Sequence, residues 1–194
     1  LAVANMKYIF YRRKIQKFNF KEWNDLSINL AEAVKLKSII TKRIQERTMQ
    51  VHSLTHVIIE KGEQPKTPDY SLEMLEAELK ELRYDSRKLD ALIYRANIDN
   101  TVVFKDEEMP IVEAIELASQ LRAEAQFCKN LGSEEKEAFY HNSGDAMLYR
   151  VALYDPMTYR NRANELEKEA HRLSNLINAK NYQVEIEFDD SNYF

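Results

Sequence analysis

His52 and His56 stand four residues apart, the spacing that sets two imidazoles on one face of a helix, as zinc-binding histidines are set. Glu60, one turn on, is the nearest carboxylate, and spacing supplies no third ligand; an ordinary, partly exposed helix face accounts for the pair equally simply. A di-iron carboxylate bundle needs a glutamate three residues before a histidine on two helices. Met49, Ser53, Ala138 and Lys168 hold that place before the four histidines, which excludes that centre. Cys128 and His141 have the composition of a nucleophile and its base. Cys128 falls on an apolar helical seam, however, where a buried structural thiol is expected. A glycine-rich phosphate loop, a G-x-S-x-G elbow and an H-E-x-x-H helix are all missing from the sequence, so no catalytic role, metal or cofactor is expected.

Two polar constellations remain. Asn97, Asn100, Asn178 and Asn181 fall at two equivalent helix ends, where they could line a small polar site or simply cap the C-termini, since asparagine tolerates the left-handed conformation there. Tyr140, Tyr149, Arg150 and Tyr154 gather around a long connection, the kind of segment that carries function more often than a buried seam.

The elements that must position these groups are long helices. Leu72, Leu75, Leu79, Leu82, Ser86, Leu89, Ile93 and Ala96 alternate steps of three and four, the seam of a helix that lies along another. Helix one is expected from about Asn29 to Lys61, capped by Ser27 or Asn29, with its seam at Ile40, Ile44, Val51, Leu54 and Ile58. At 1.5 Å per residue it would reach roughly 50 Å. Gly62, Pro65 and Pro68 make the turn into helix two, which starts near Pro68-Asp69. Helix three carries Ile111, Ala114, Ala118, Leu121, Ala125 and Cys128, with Gly132 at its end and Glu134–Tyr140 able to add a turn. Asp155-Pro156 opens helix four, with Tyr159, Ala163, Leu166, Ala170, Leu173 and Ile177 as its seam. Strands are expected at about 101–104, 147–153 and 183–188.

The fold is therefore mainly α: two long antiparallel hairpins (29–104 and 110–188) forming a coiled-coil-like four-helix core, with a small sheet at the end where both leave. The hairpins rhyme. Glu32-Ala33-Val34, Leu36 and Ser38 recur as Glu113-Ala114-Ile115, Leu117 and Ser119, and Leu89, Leu92, Ile93 and Asn97 recur as Leu173, Leu176, Ile177 and Asn181. That pattern reads either as an internal duplication or as two seams converging on one heptad grammar.

Residues 1–27 differ from the single helical domain expected over 28–194. Residues 1–25 carry six Lys/Arg against Glu22 and Asp25, interleaved with Tyr8, Phe10, Tyr11, Phe18, Phe20 and Trp23. Three readings fit this extension: an interfacial anchor for an anionic membrane, a poorly ordered terminus, or translation from an upstream frame, with Leu26 an alternative start behind a Lys21-Glu22 ribosome-binding sequence. The net charge of −4 leaves an acidic body, which excludes a general nucleic-acid binder. One cysteine fits a reducing compartment, and no apolar run reaches the roughly 20 residues of a spanning helix, so a cytoplasmic protein is expected.

Gly62-Glu63-Gln64-Pro65, Leu75-Glu76-Ala77-Glu78-Leu79, Leu92-Ile93, Asn97, Asn100-Thr101 and Ile177-Asn178-Ala179-Lys180-Asn181 together resemble the bacterial family labelled septicolysin, over about Ile28 to Phe188. The likeness departs around Asn142–Leu153. The label implies a cytolysin, but the body shows neither a secretion signal nor a lipid-entering segment. The expectation from the residues is a structural or protein-binding module that forms a homo-oligomer through the seam Leu72, Leu75, Leu79 and Leu82, with a membrane surface as partner only through residues 7–23.

Overall fold

The computed structural model describes residues 27–56, 58–64, 71–144 and 146–193. The basic aromatic extension up to Leu26, and Pro65, Pro68 and Asp69 of the expected turn, lie outside them. Among the described residues the order is β1 (Ser27–Asn29), α1 (Leu30–Leu54), α2 (Leu72–Asp99), β2 (Thr101–Phe104), β3 (Glu107–Pro110), α3 (Ile111–Ser133), β4 (Glu137–Ser143), β5 (Ala146–Val151), α4 (Pro156–Asn181) and β6 (Glu185–Glu187). The molecule is mainly helical with small antiparallel sheets, and its helices pair as hairpins. It divides into two compact units, one from the chain up to Leu92 with the segment from Glu185, the other from Ile93–Val184.

In the first unit Asn29 caps α1 with a full capping box. Its side chain accepts from the Glu32 amide at 2.9 Å, and Glu32 accepts from the Asn29 amide at 3.1 Å. The antiparallel run of α1 and α2 is marked by Lys37 Nζ on Asp90 at 2.6 Å and Arg47 Nε on Glu78 at 2.9 Å. The core comprises Leu30, Ala33, Leu36 and Ile40 against the α2 seam, of which Leu75, Leu79, Leu82 and Leu89 are buried. Ile40 is thus a seam residue, but the expected seam beyond it is corrected: Ile44, Val51 and Leu54 are only half-buried and Ile58 is fully exposed. The expected end of helix one at Lys61 is corrected too. The Ser53 and Thr55 hydroxyls each donate at 2.8 Å to the carbonyls of Gln50 and His52, and Thr55 is the C-cap. Such local bonding competes with helix propagation, and β-branched Ile58 and Ile59 beyond it do not favour its resumption.

In the second unit α3 and α4 meet through small side chains: Ala114, Ala118, Ala125 and Cys128 on one, Ala163 and Ala170 on the other, closed by buried Ile111, Leu173 and Ile177. Gly132, expected to end α3, lies in its last turn, one residue before the helix closes at Ser133, and a Cβ there would stand 2.8 Å from the Arg160 backbone nitrogen. Arg160 in turn donates from Nε and Nη2 to the Gly132 carbonyl at 3.2 and 2.8 Å, satisfying an acceptor that the helix end leaves open. The extra helical turn expected over Glu134–Tyr140 is absent; β4 begins at Glu137. Asp155 caps α4 ahead of Pro156, as expected, accepting from the amides of Met157 and Thr158.

The strands expected near 101–104, 147–153 and 183–188 exist as β2, β5 and β6, but they do not share one sheet. Each joins its own two-stranded pair: β1 with β6, β2 with β3, and β4 with β5. Asn29 opposes Glu185, and Pro110 opposes Thr101. In both cases the strand leaving one hairpin pairs with the strand entering the other, rather than with the strand leaving it. The β2–β3 turn has Lys105 at φ 51° and Asp106 at φ 65°, the two left-handed residues of a type I′ turn.

Two stability measurements check this packing. Gly132→Ala should lower the unfolding free energy by about 1–3 kcal/mol, because backbone rather than a flexible side-chain tip must yield. Asp106→Gly should raise it by about 1 kcal/mol by removing the Cβ penalty of the left-handed region. Urea unfolding followed by circular dichroism reads both.

Candidate functional site

Lys136 and the residues after Val151 form a polar neck from which β4 and β5 project. The Ala152 amide donates to the Lys136 carbonyl at 2.9 Å, and Lys136 Nζ donates to the carbonyls of Ala152 and Tyr154 at 2.8 and 2.7 Å. The Tyr154 hydroxyl donates to the Leu131 carbonyl at 3.1 Å, and its ring meets Tyr159 edge-on with centroids 5.3 Å apart. Arg150 pairs with Glu134. The neck therefore fixes the base of the hairpin to the end of α3 and the start of α4.

Beyond the neck the hairpin is bare. Every residue of β5 is exposed, and in β4 only Ala138 is half-buried among the residues whose side chains are described. The register places Phe139 opposite Tyr149, and Glu137 opposite Val151, so Phe139, Tyr149, Met147 and Val151 share one face. Phe139 and Tyr149 meet edge-on at 5.9 Å, and the Tyr149 hydroxyl reaches Met147 Sδ at 4.0 Å. A register shift between Phe139 and His141 marks a bulge in β4, and the Tyr140 and His141 rings lie 4.5 Å apart beside it. Gly144, at φ +61°, supplies the left-handed turn residue. Phe139, Tyr140, Met147, Leu148, Tyr149 and Val151 are 40–68% exposed. Two strands alone rarely hold together in water, and monomeric proteins seldom expose a contiguous apolar patch of this kind without a use for it.

The structure gathers the expected cluster of Tyr140, Tyr149, Arg150 and Tyr154 on this hairpin and its neck. It does not assemble the others. His56 lies past the end of α1, with Nδ1 3.0 Å from the Thr55 hydroxyl, so it does not share a helical face with His52. Among the described residues no group of three or more ligand-type side chains is placed to hold a metal ion. Cys128 is buried in the α3 seam, whereas His141 is on the exposed strand. Asn100 is occupied as a cap, its Nδ2 donating to the Ala96 carbonyl at 2.9 Å while its own carbonyl accepts from the Ile111 amide at 2.9 Å. Asn97 is half-buried and Asn178 exposed; Asn181 ends α4 with Oδ1 enclosed and without a hydrogen bond among the described residues. Of the proposed assembly seam, Leu75, Leu79 and Leu82 are buried, which leaves Leu72, at 40% exposure, on the surface. A cleft of about 240 Å³ lined by Lys129, Arg160 and Glu167 has its charges answered locally, Lys129 by Glu167 at 3.1 Å and Arg160 by the Gly132 carbonyl.

Sequence reasoning missed the turn of the hairpin, although Gly144-Asp145 between two β-favouring runs is a hairpin signal. It also missed a second constellation, in the first unit. Tyr193 is buried and donates to Asp85 at 2.7 Å, while Arg43 donates to the carbonyls of Asn192 and Tyr193 at 3.0 and 3.1 Å and sits 5.1 Å over the Tyr193 ring. No sequence spacing predicts a triad drawn from such distant positions.

The comparisons with known proteins fit this geometry without naming an activity. A family model described as a family of unknown function, DUF6847, matches residues 37–186, and the chain belongs to that family. The crystal structure of a functionally unknown conserved protein from Corynebacterium diphtheriae matches with a TM-score of 0.63 at 21% identity, over 82% of this chain and 99% of that one. That likeness shows a common fold alone. None of the curated proteins matches, and none of these findings relates to septicolysin. No helix among the described residues is long and apolar enough to cross a membrane.

Burial first, and the hydrogen bond to Asp85 second, push the Tyr193 phenol well above its ordinary pKa of 10.0. A raised folded-state value means that the stabilisation is complete below about pH 10 and is lost as pH rises through the folded-state value. Tyr193→Phe should therefore lower stability by about 1–2 kcal/mol at pH 7, and the difference from the parent should shrink above pH 10 in a pH series of thermal midpoints.

Proposed function

We propose that this member of a family of unknown function is a protein-interaction module, a helical scaffold that presents the β4–β5 hairpin as its docking element. One observation carries the reading: a hairpin held at its neck by main-chain and lysine hydrogen bonds leaves Phe139, Met147, Tyr149 and Val151 in water on one face. Aromatic and methionine side chains are the types enriched where proteins meet, the aromatics because they give large contact area for few rotatable bonds and methionine because its flexible thioether adapts to the partner. The α2 seam is not free to recognise a partner in the same way, since Leu75, Leu79 and Leu82 are already buried. The coiled-coil seam thus builds the scaffold, and the hairpin is the element that recognises. A cytoplasmic setting suits the reading, because the lone thiol, Cys128, is free.

Replacing residues 138–150 by a short Gly-Ser link tests it. The variant should keep its helical circular dichroism and nearly its thermal midpoint, while losing any protein that co-purifies with the intact chain. Loss of the helical fold would make the hairpin a structural part of the core and overturn the reading.

A further inference from the structure

We propose that the second unit carries a recognition site for a phenol, as a tyrosine side chain or a free phenolic compound, in a groove of about 510 Å³ between the β2–β3 turn and α4. The groove shares no residue with the β4–β5 hairpin and does not depend on the docking role given to that hairpin.

The two units are built alike around this groove, and the first unit shows what such a place accepts. The step in sequence that matches Leu89 with Leu173 and Asn97 with Asn181 also matches Asp85 with Glu169, Lys88 with Arg172 and Leu92 with Leu176. Carried into the strands, it matches Ile186 with Val102 and Phe188 with Phe104. Each of these pairs is buried, both phenylalanines at 9% exposure, and Asp85 and Glu169 are both half-buried carboxylates.

The chain parts ways just beyond the phenylalanines. Past Phe188 it runs on through a turn in which Asp189 accepts from the Ser191 amide and hydroxyl at 3.1 and 2.6 Å. It then buries Tyr193, whose hydroxyl donates to Asp85 at 2.7 Å. Past Phe104 the left-handed pair Lys105-Asp106 folds the chain straight back into β3, so no following segment reaches Glu169 in the same way. Lys105 Nζ meets Glu169 at 2.6 Å and lies 5.6 Å from the centre of the Phe104 ring. A lysine stem is slighter than a phenol, and the groove stays open between these residues and Arg172, Asn175 and Leu176. Leu176 is accordingly 41% exposed, where its counterpart Leu92 is half-buried.

The lining supplies what a phenol needs. An ionised carboxylate accepts at both oxygens, so Glu169 can hold Lys105 and a phenolic hydroxyl together. Phe104 and Leu176 give apolar surface to the ring. Arg172 brings a guanidinium to the lining, the group that Arg43 sets 5.1 Å over the Tyr193 ring in the first unit. A plain phenyl ring would leave the carboxylate without its extra donor, which is why the hydroxyl decides the preference.

Titrating N-acetyltyrosine amide into the isotope-labelled full chain, followed by two-dimensional amide NMR, should move the signals of Lys105, Arg172, Asn175 and Leu176 to saturation. N-acetylphenylalanine amide should bind about fivefold more weakly. Glu169→Ala should bring the two amides to equal affinity, whereas Glu165→Ala, on the same helix outside the groove, should leave the preference intact. The acetylated peptide Asp-Asp-Ser-Asn-Tyr, the sequence of residues 189–193, separates the two sources. A gain of about tenfold over the tyrosine amide assigns the site to a tyrosine within a protein segment, and no gain assigns it to a free phenolic compound. Equal affinity of the two amides for the parent chain overturns the proposal, as do shifts at the groove that never saturate, whether or not the Glu169 variant folds.

Discussion

The close approach of α3 and α4 is the constraint on which most of the second unit depends. Alanines at 114, 118, 125, 163 and 170, together with Cys128, keep side-chain bulk out of the seam, and at Gly132 the Arg160 backbone comes nearer than any Cβ would permit. Small residues give up individual burial area, but they gain dense backbone-to-backbone packing, where dispersion contacts add up. Arg160 then serves twice, marking the point of closest approach and satisfying the carbonyl that the last turn of α3 leaves open. With those helix ends fixed, Lys136 and Tyr154 have carbonyls in reach, and the neck of the hairpin follows.

The first unit is held by a different principle. Its helices carry larger leucines, its ion pairs Lys37–Asp90 and Arg47–Glu78 lie partly in solvent, and such pairs individually add little. The specific register comes instead from Tyr193, whose phenol reaches Asp85 while Arg43 grips the adjacent carbonyls. A charged pair bridged by a buried aromatic fixes direction and depth in a way that sliding leucine seams do not.

How much could be read from the residues follows from how local the forces are. The α2 seam from Leu75 to Ala96 and the bounds of α4 between Asp155 and Asn181 were legible, because periodicity and caps are written in adjacent residues. Glu107–Pro110 was not, since two glutamates and a proline do not suggest a strand; the left-handed pair Lys105-Asp106 folds them back onto Thr101–Phe104. Glu134–Tyr140 misled because Glu-Glu-Lys-Glu-Ala favours a helix in isolation, whereas pairing with β5 overrides that preference. The tyrosines and Arg150 of the candidate site were visible as a cluster. Their placement on a bare projecting hairpin was not, since exposure is a property of what the rest of the chain leaves uncovered.

The pairing of Ile28 with Ile186 bears on synthesis as well as on structure. The second unit is one continuous stretch, and all its contacts are available once Val184 has left the ribosome. The first unit is discontinuous: α1 emerges early, but β1 has no partner strand, and Asp85 and Arg43 no tyrosine, until residues 185–193 are made. Contacts between residues this distant in sequence are slow to close. Vectorial folding thus assigns an order, with the later-made helices completing their unit first and the earliest helix waiting for the final strand.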